Sequence, residues 1–194
     1  MIKCAIFDAD GTLIDSLGIW MKADKEYLSS KGRRLDPSTY EKFTKMTYAQ
    51  SISYVKEHYR LKESEEEISE DIMKLVMSKY ENDVKVTEGI EDLLQRLLDN
   101  GIPMAVATAN DRILVCRALR STGLRRYFSR IVTCDETGCG KEEAEVFIRA
   151  AEELGCKPSE ALVVEDDKAY VKAARAAGFI AMHISEIGRL GFGK

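Results

Sequence analysis

The sequence lacks most of the features that mark secreted, membrane-spanning or zinc-binding proteins. Its five cysteines include no Cys-x-x-Cys pair and it has only two histidines, so neither a disulfide framework nor a zinc site is indicated. No uninterrupted apolar run approaches the ~18 residues that a transmembrane helix requires. The first residues also lack the basic and apolar regions of a signal peptide. We therefore expect reduced cysteines and a cytoplasmic protein.

A large excess of charge of one sign is also missing. The 194 residues carry a net charge of -4, which provides no general attraction to nucleic acid or membranes, and we expect neither as a partner. The exception is the segment 112–130, which contains six arginines and no acidic residue. An acidic or nucleic-acid partner is one interpretation of this segment. We favour a solvated surface balanced by acids elsewhere, such as those at 63–67.

Short apolar segments alternate with helical segments over most of the chain, and 45% of the residues are hydrophobic, enough for a sizeable core. The apolar segments predict strands at 1–7, 102–109, 131–134, 161–165 and 179–184. Amphipathic segments predict helices near 89–100, 111–121, 142–154 and 168–177. This alternation is typical of an α/β protein with a Rossmann-like, doubly wound parallel sheet.

A helical pattern replaces this alternation between residues 16 and 85. One predicted helix face carries Leu17, Trp20, Met21 and Leu28. Further along, the spacing of Thr47 to Gln50 and of Ser64 to Glu67 predicts capping boxes at the starts of two more helices. We predict that residues 16–85 form an α-helical domain inserted after the first strand, and that residues 1–15 and 86–194 form the α/β core.

Polar residues follow several of the predicted strands. The first strand leads into Asp8 and Asp10, the second ends at Thr108 before Ala109 and Asn110, and the strand at 161–165 ends at Glu165 before Asp166. Lys141 precedes the helix that leads into this last strand. Open parallel sheets bind ligands at the carboxyl ends of their strands. The sequence therefore predicts one site that combines carboxylates, a hydroxyl and an amine.

This set of side chains suits phosphoryl transfer. Clustered carboxylates raise each other's pKa unless a cation neutralises them, and Mg2+ is a hard cation that prefers oxygen ligands and also binds phosphate. One carboxylate can then act as a nucleophile and form an aspartyl-phosphate. Thr108 and Lys141 can hold phosphate oxygens and offset charge in the transition state.

The stretch DADGTLIDS at 8–16 resembles the first motif, DxDGTL, of the haloacid dehalogenase-like (HAD) superfamily. Thr108, Lys141 and the stretch VVEDD at 163–167 match its second, third and fourth motifs in order and spacing. The resemblance covers the whole chain and is closest to the capped subfamily similar to beta-phosphoglucomutase and phosphoglycolate phosphatase-like proteins. Two positions depart from the common pattern: Glu142 stands where a proline is frequent and Asp167 where a serine is frequent.

The resemblance implies a role for each matching residue. Asp8 would be the nucleophile, and Asp10 would be the general acid for the leaving group and then the base for water. Thr108 and Lys141 would bind the phosphoryl group, and we add the neighbouring Ala109 and Asn110 as candidate phosphate contacts.

The same resemblance implies a cofactor and a cap. Mg2+ would be held by Asp8, Asp10 (through its main-chain carbonyl), Glu165 and Asp166. The helical insert would cover the site and select a small phosphorylated metabolite of the phosphosugar type, and we include Trp20 as a candidate substrate contact. The expected activity is that of a phosphatase.

Three alternatives remain at this point. Beta-phosphoglucomutase carries a histidine twelve residues after its nucleophile; the matching position here is Trp20, which favours hydrolysis over mutase chemistry. Receiver domains combine similar residues, but their acceptor aspartate ends a later strand. A binding protein that has lost catalysis is the third, and the full set of motif residues argues against it. The sequence does not indicate an oligomeric state.

Overall fold

The computed structural model of the protein describes residues 2–43 and 46–189. The chain divides into two compact units, one formed by the described residues of 1–16 and 84–194 and the other by those of 17–83. We call them the sheet unit and the helical unit. That the helical unit acts as a cap over a site stays a prediction.

The sheet unit contains a five-stranded parallel sheet, which confirms the predicted fold class. In chain order, the strands of this unit are β1 (Cys4–Phe7), β2 (Ile14–Asp15), β3 (Lys85–Val86), β4 (Met104–Thr108), β5 (Arg130–Thr133), β6 (Ala161–Glu165) and β7 (Ile180–His183). β2 and β3 form a separate two-stranded ribbon, and the other five form the sheet. The order across the sheet is β5-β4-β1-β6-β7, with β1 in the centre. β2 and β3 pair antiparallel as the ribbon, which the sequence pattern did not predict.

Helices fill both units. The helical unit contains α1 (Ile19–Ser30), α2 (Pro37–Phe43), α3 (Tyr48–Tyr59) and α4 (Glu65–Asn82). The sheet unit contains α5 (Ile90–Asp99), α6 (Arg112–Ser121), α7 (Cys134–Thr137), α8 (Glu145–Glu153) and α9 (Lys168–Ala176). Among the described residues, no helix combines the length and apolar character needed to cross a membrane.

The central strands are buried over their whole length. Every residue of β1, β4 and β6 is buried, which explains why these segments are continuous apolar runs rather than alternating ones. On one face of the sheet, Phe147 of α8 and Val171 of α9 join Phe179 in an apolar core. The side chains of alternate strand residues, such as Ile6 and Val163, reach the same core.

The strand register brings the ends of β1, β4 and β6 to the same edge. Phe7 pairs with Val106 of β4 and with Val164 of β6, so the residues that follow in each strand leave the sheet together. The polar side chains predicted from the motifs therefore start from adjacent positions at the carboxyl edge of the sheet.

The predicted helix at 142–154 begins later than the pattern indicates. Residues Lys141–Glu143 form a 3-10 turn, and α8 starts only at Glu145. Ala144 separates the two with a φ of 60°, a left-handed conformation that is uncommon for a residue with a side chain. Lys141 therefore belongs to the turn before α8 and not to the helix itself.

The helical unit corrects one predicted helix face and confirms two caps. The buried face of α1 consists of Ile19, Ala23, Tyr27 and Leu28. Leu17 and Met21 are exposed instead and Trp20 is half-buried, so the predicted face is wrong at Leu17 and Met21. The reason is that Leu17 lies outside the helix, which begins after Gly18. Both predicted capping boxes are present, at the starts of α3 and α4.

The arginine-rich segment 112–130 is balanced by acids of the sheet unit. Arg112 pairs with Glu136, Arg126 with Glu91 at 2.9 Å, and Arg130 with Glu153 at 3.6 Å. Of the acids at 63–67, Glu63 pairs with Lys31 of the helical unit at 2.7 Å.

Replacement of Ser64 by alanine is expected to destabilise the helical unit by about 1 kcal/mol. The Ser64 hydroxyl accepts a hydrogen bond from the Glu67 backbone N-H at 3.1 Å, and alanine would leave this N-H without its cap. Urea unfolding followed by circular dichroism measures the change, with the exposed mid-helix Ser78→Ala as the control. Equal stability of the two variants would contradict the capping role.

Asp24 of α1 should make the stability of the protein depend on pH, because burial raises the pKa of its carboxyl to about 7 from an ordinary value of 3.8. The folded protein holds this proton more tightly than the unfolded chain, so stability is lost as the pH rises toward 7. Asp24→Asn should therefore stabilise the protein at pH 8, by about 1–2 kcal/mol once partial solvent screening is allowed for.

The gain from Asp24→Asn should shrink as the pH falls toward 4.5, where the carboxyl is protonated in a growing fraction of unfolded chains. Urea unfolding of both proteins at pH 8 and pH 4.5 tests this. A stabilisation of the same size at both values would show that ionisation of Asp24 is not its cause.

Candidate active site

A buried lysine lies between two buried carboxylates at the centre of the site. Lys141 Nζ donates to Asp8 Oδ1 and, at 2.9 Å, to Glu165 Oε2. The side chains of Lys141, Asp8 and Glu165 are 3%, 6% and 1% exposed, so these charges have little access to water. The rings of Phe147 and Tyr170 lie 5.8 Å and 5.6 Å from Lys141 Nζ and complete its surroundings.

Burial and pairing act against each other on these ionisable groups. Burial raises the pKa of Asp8, and Lys141 partly opposes this effect. Burial likewise raises the pKa of Glu165, to which the charge of Asp8 adds. Burial alone would lower the pKa of Lys141, but Asp8 and Glu165 outweigh it and hold this pKa above its usual value. Lys141 is therefore a fixed cation at neutral pH, held by its two acids.

Three carboxylates of this region could hold a metal ion. One oxygen each from Asp8, Glu165 and Asp166 lies within 4.8 Å of the others. Asp8 Oδ2 is buried and has no hydrogen-bond partner among the described residues, an arrangement that is costly unless a cation completes it. Oxygen donors of this kind suit Mg2+. The residues present thus fit the metal that the motifs imply.

Gly11 allows Asp166 to approach the turn after β1. Its φ is +82°, and a Cβ at this position would lie 2.2 Å from Asp166 Oδ2. Both the left-handed backbone and the lack of space require glycine here. The Gly in the DxDGT stretch therefore keeps the third carboxylate close to the first.

Asp10 is held apart from the carboxylate cluster by two donors. The Ser16 hydroxyl donates to its Oδ1 at 2.5 Å, and the Asn110 side-chain amide donates to its Oδ2 at 2.9 Å. The side chain of Asp10 is not part of the three-carboxylate group, and the predicted contribution of its main-chain carbonyl to a metal stays a prediction. Asp10 is thus oriented by Ser16, which follows β2, and by Asn110, which follows β4.

Ser16 is the positioning residue that sequence reasoning missed. Its only signal was a hydroxyl six residues after Asp10, at the point where the chain leaves the sheet unit for the helical block. Asn110 is predicted to contact phosphate. In the structure its side-chain amide donates a hydrogen bond to Asp10. A phosphate contact from Asn110 stays a prediction.

Thr108 lies at the end of β4 and is buried. Its hydroxyl oxygen accepts a hydrogen bond from the Asn110 backbone N-H at 3.0 Å, which closes a tight turn after the strand. Ala109 is exposed within this turn. The hydroxyl and the turn lie at the same sheet edge as Asp8, because β4 and β1 are neighbours.

Trp20 lies in the helical unit, and Asp167 caps a helix of the sheet unit. Trp20 belongs to the helical unit, where its ring packs edge-on against Tyr48 with centroids 5.5 Å apart; its contact with a substrate stays a prediction. Asp167 caps α9, since its Oδ1 accepts from the Ala169 backbone N-H at 2.7 Å. Asp167 therefore fills the N-cap position of α9, for which aspartate and serine are about equally suited.

Comparisons with known proteins show which family the chain belongs to. The family model described as haloacid dehalogenase-like hydrolase matches residues 5–184. A bifunctional riboflavin kinase/FMN phosphatase of Arabidopsis thaliana is 29% identical over 91% of this chain, which spans only 46% of that protein. A phosphorylated carbohydrates phosphatase of Thermotoga maritima is 24% identical over 91% of this chain and 82% of its own length.

Among solved structures, a beta-phosphoglucomutase of Clostridium difficile covers 93% of this chain and 83% of its own with a TM-score of 0.69. Its sequence identity of 22% shows a shared fold. The family model, in contrast, spans all four motifs, from the strand before Asp8 to the segment after Glu165 and Asp166. The chain belongs to the haloacid dehalogenase-like hydrolase family.

Proposed function

We propose that the protein is a Mg2+-dependent phosphatase that hydrolyses a small phosphorylated metabolite through an aspartyl-phosphate on Asp8. One observation carries this proposal: Lys141 holds one oxygen of a buried Asp8, whose other oxygen has no hydrogen-bond partner among the described residues, and the Asp8 carboxylate clusters with those of Glu165 and Asp166. A carboxylate fixed in this way suits nucleophilic attack on phosphorus.

Each of the proposed steps uses a side chain at the sheet edge. A carboxylate oxygen of Asp8 forms a bond to phosphorus as the bond to the leaving oxygen breaks, and Asp10 donates a proton to that oxygen. Asp10 then accepts a proton from water, which attacks the phosphoryl group and releases phosphate and Asp8. Ser16 and Asn110 keep the Asp10 carboxylate oriented in both steps.

The phosphoryl oxygens need compensation for their charge. Lys141, buried and cationic, supplies part of it, and Thr108 provides a hydroxyl at the end of the neighbouring strand. Bound Mg2+ would neutralise the carboxylates and polarise the phosphoryl group. Asp8, Glu165 and Asp166 would hold it, together with the main-chain carbonyl of Asp10.

A phosphosugar-type ester is our proposal for the substrate class. The relative from Thermotoga maritima is named for phosphorylated carbohydrates, and the one from Arabidopsis thaliana for FMN as the phosphatase substrate. In our proposal the helical unit is the cap that selects among such esters, with Trp20 as a candidate contact.

Mutase chemistry is the alternative that Trp20 disfavours. An indole carries no basic nitrogen, so Trp20 cannot accept a proton from a sugar hydroxyl as a histidine could. A receiver-like role fits less well, because the proposed acceptor Asp8 follows the first strand and not a later one. Release of inorganic phosphate from a sugar phosphate, without formation of an isomeric sugar phosphate, would separate hydrolysis from mutase activity.

Asp8→Asn is expected to reduce phosphatase activity by about 1,000-fold or more, because the nucleophile is lost. The measurement is release of p-nitrophenol from p-nitrophenyl phosphate with Mg2+, and a chelator should abolish wild-type turnover until Mg2+ is restored. The exposed neighbour Asp15→Asn serves as the control and should retain wild-type rates. Turnover of Asp8→Asn within threefold of the wild type would exclude Asp8 as the nucleophile.

Ser16→Ala is expected to lower kcat about 5- to 30-fold with little change in KM, since removal of one hydrogen bond to a carboxylate typically costs about 1–2 kcal/mol. The loss should be larger for an alkyl phosphate than for p-nitrophenyl phosphate, whose leaving group needs less protonation. Ser16→Thr retains the hydroxyl and should recover part of the activity. An equal loss with both esters would show that Ser16 does not act through the proton donor Asp10.

A further inference from the structure

A cavity apart from the candidate active site lies in the sheet unit, between α9 and the segment that follows β7. Its volume is about 480 Å³, and Val171 forms part of its apolar floor. The polar side chains that line it are Lys168, Lys172, Arg175, His183, Ser185 and Glu186. None of these residues belongs to the motifs that carry the proposed phosphatase chemistry.

The cationic side chains of this cavity share one helix face. Lys168, Lys172 and Arg175 are spaced by four and three residues along α9, so their side chains are neighbours. Within the described parts of the chain, the side chains of Lys168 and Lys172 have neither an ion pair nor a hydrogen bond. Neighbouring like charges repel each other, and an anion between them would remove this repulsion. A cationic cavity also stands out in a chain of net charge -4.

The other polar groups of the cavity leave donors available to an anion. His183 Nδ1 lies 3.2 Å from the Ser185 backbone nitrogen, whose N-H donates to it, and 2.8 Å from the Ser185 hydroxyl, which leaves Nε2 as the ring nitrogen available to a ligand. Glu186, the carboxylate among the described lining residues, accepts a hydrogen bond from the His183 backbone N-H through Oε2 at 3.1 Å. Among the described residues that line it, the cavity therefore combines three cations and the His183 ring with one acid, Glu186, that already has a backbone partner.

The cavity lies at the same sheet edge as the candidate active site. His183 pairs with Glu165 across β6 and β7, and Asp8 follows Phe7, which pairs with Val164. His183 is thus two strands away from Asp8, or about 10 Å at the usual strand spacing. An anion at this distance does not occupy the position of the phosphoryl group that Asp8 would attack.

We propose that this cavity is an anion-binding site for a phosphate group, separate from the catalytic carboxylates and from the reaction proposed for them. Lys168, Lys172 and Arg175 bind the phosphate oxygens, and His183 Nε2-H donates to them. The phosphate belongs either to a second anionic group of the substrate or to a separate phosphorylated effector, since both present the same chemistry.

Calorimetric titration of the full chain with inorganic pyrophosphate, in the presence of a chelator and at low salt, tests the site. The chelator prevents metal-dependent hydrolysis, so the result does not depend on the proposed phosphatase activity. Lys168→Ala/Lys172→Ala should weaken the binding at least tenfold, and binding to the wild type should weaken as salt is added. The control, Lys85→Ala/Lys157→Ala, removes the same charge from exposed positions of the same unit.

Equal affinity of the two double variants, with unchanged melting temperatures, would overturn the proposal, as would a wild type that binds no pyrophosphate. Kinetics then distinguish the two sources of the phosphate. If the substrate supplies it, Lys168→Ala/Lys172→Ala raises KM for a sugar bisphosphate at least fivefold and leaves KM for p-nitrophenyl phosphate unchanged. If an effector supplies it, the variant loses pyrophosphate binding and keeps both KM values.

Discussion

The site depends on one buried ammonium group that two buried carboxylates share. Removal of three charges from water is costly, and their mutual attraction compensates only when the geometry is close and every group is paired. Lys141 meets this condition for Asp8 and Glu165, but one oxygen of Asp8 remains without a partner among the described residues. Together with Asp166, the group keeps an excess of negative charge. The arrangement is therefore complete only with a cation, which links the stability of this region to metal binding.

The backbone around this group explains how such distant residues meet. A parallel sheet brings the carboxyl ends of β1, β4 and β6 to one edge, and the 3-10 turn before α8 adds Lys141 from the side. The positive φ of Ala144 concentrates strain at this turn, as backbone outliers near functional sites commonly do. The fold thus positions the charges through strand register and one strained turn, with no need for a long loop.

Much of this could be predicted from the residues. The alternation of apolar and helical segments indicated the parallel sheet. Acids at the ends of buried strands indicated that Asp8 and Glu165 lie at the carboxyl edge of this sheet. Hydrogen bonds between side chains were harder to predict. The contact of Asn110 with Asp10 depends on the geometry of the turn after β4, which the residue pattern does not specify. Ser16 was missed for the same reason. The buried face of α1 was misjudged because the pattern counted Leu17 as part of the helix, whereas the helix begins at Ile19 and buries Ile19, Ala23 and Tyr27.

The short ribbon of β2 and β3 has a consequence for the modularity of the chain. Asp15 and Lys85 pair side by side, so the polypeptide leaves the sheet unit and returns to it at neighbouring points. Antiparallel partners lie only about 5 Å apart, a gap that a two-residue turn can close. The intervening segment of 17–83 can in principle be excised or exchanged for another domain without rerouting the sheet. The junction thus makes the helical unit one contiguous piece of sequence that the sheet does not need for its own connections.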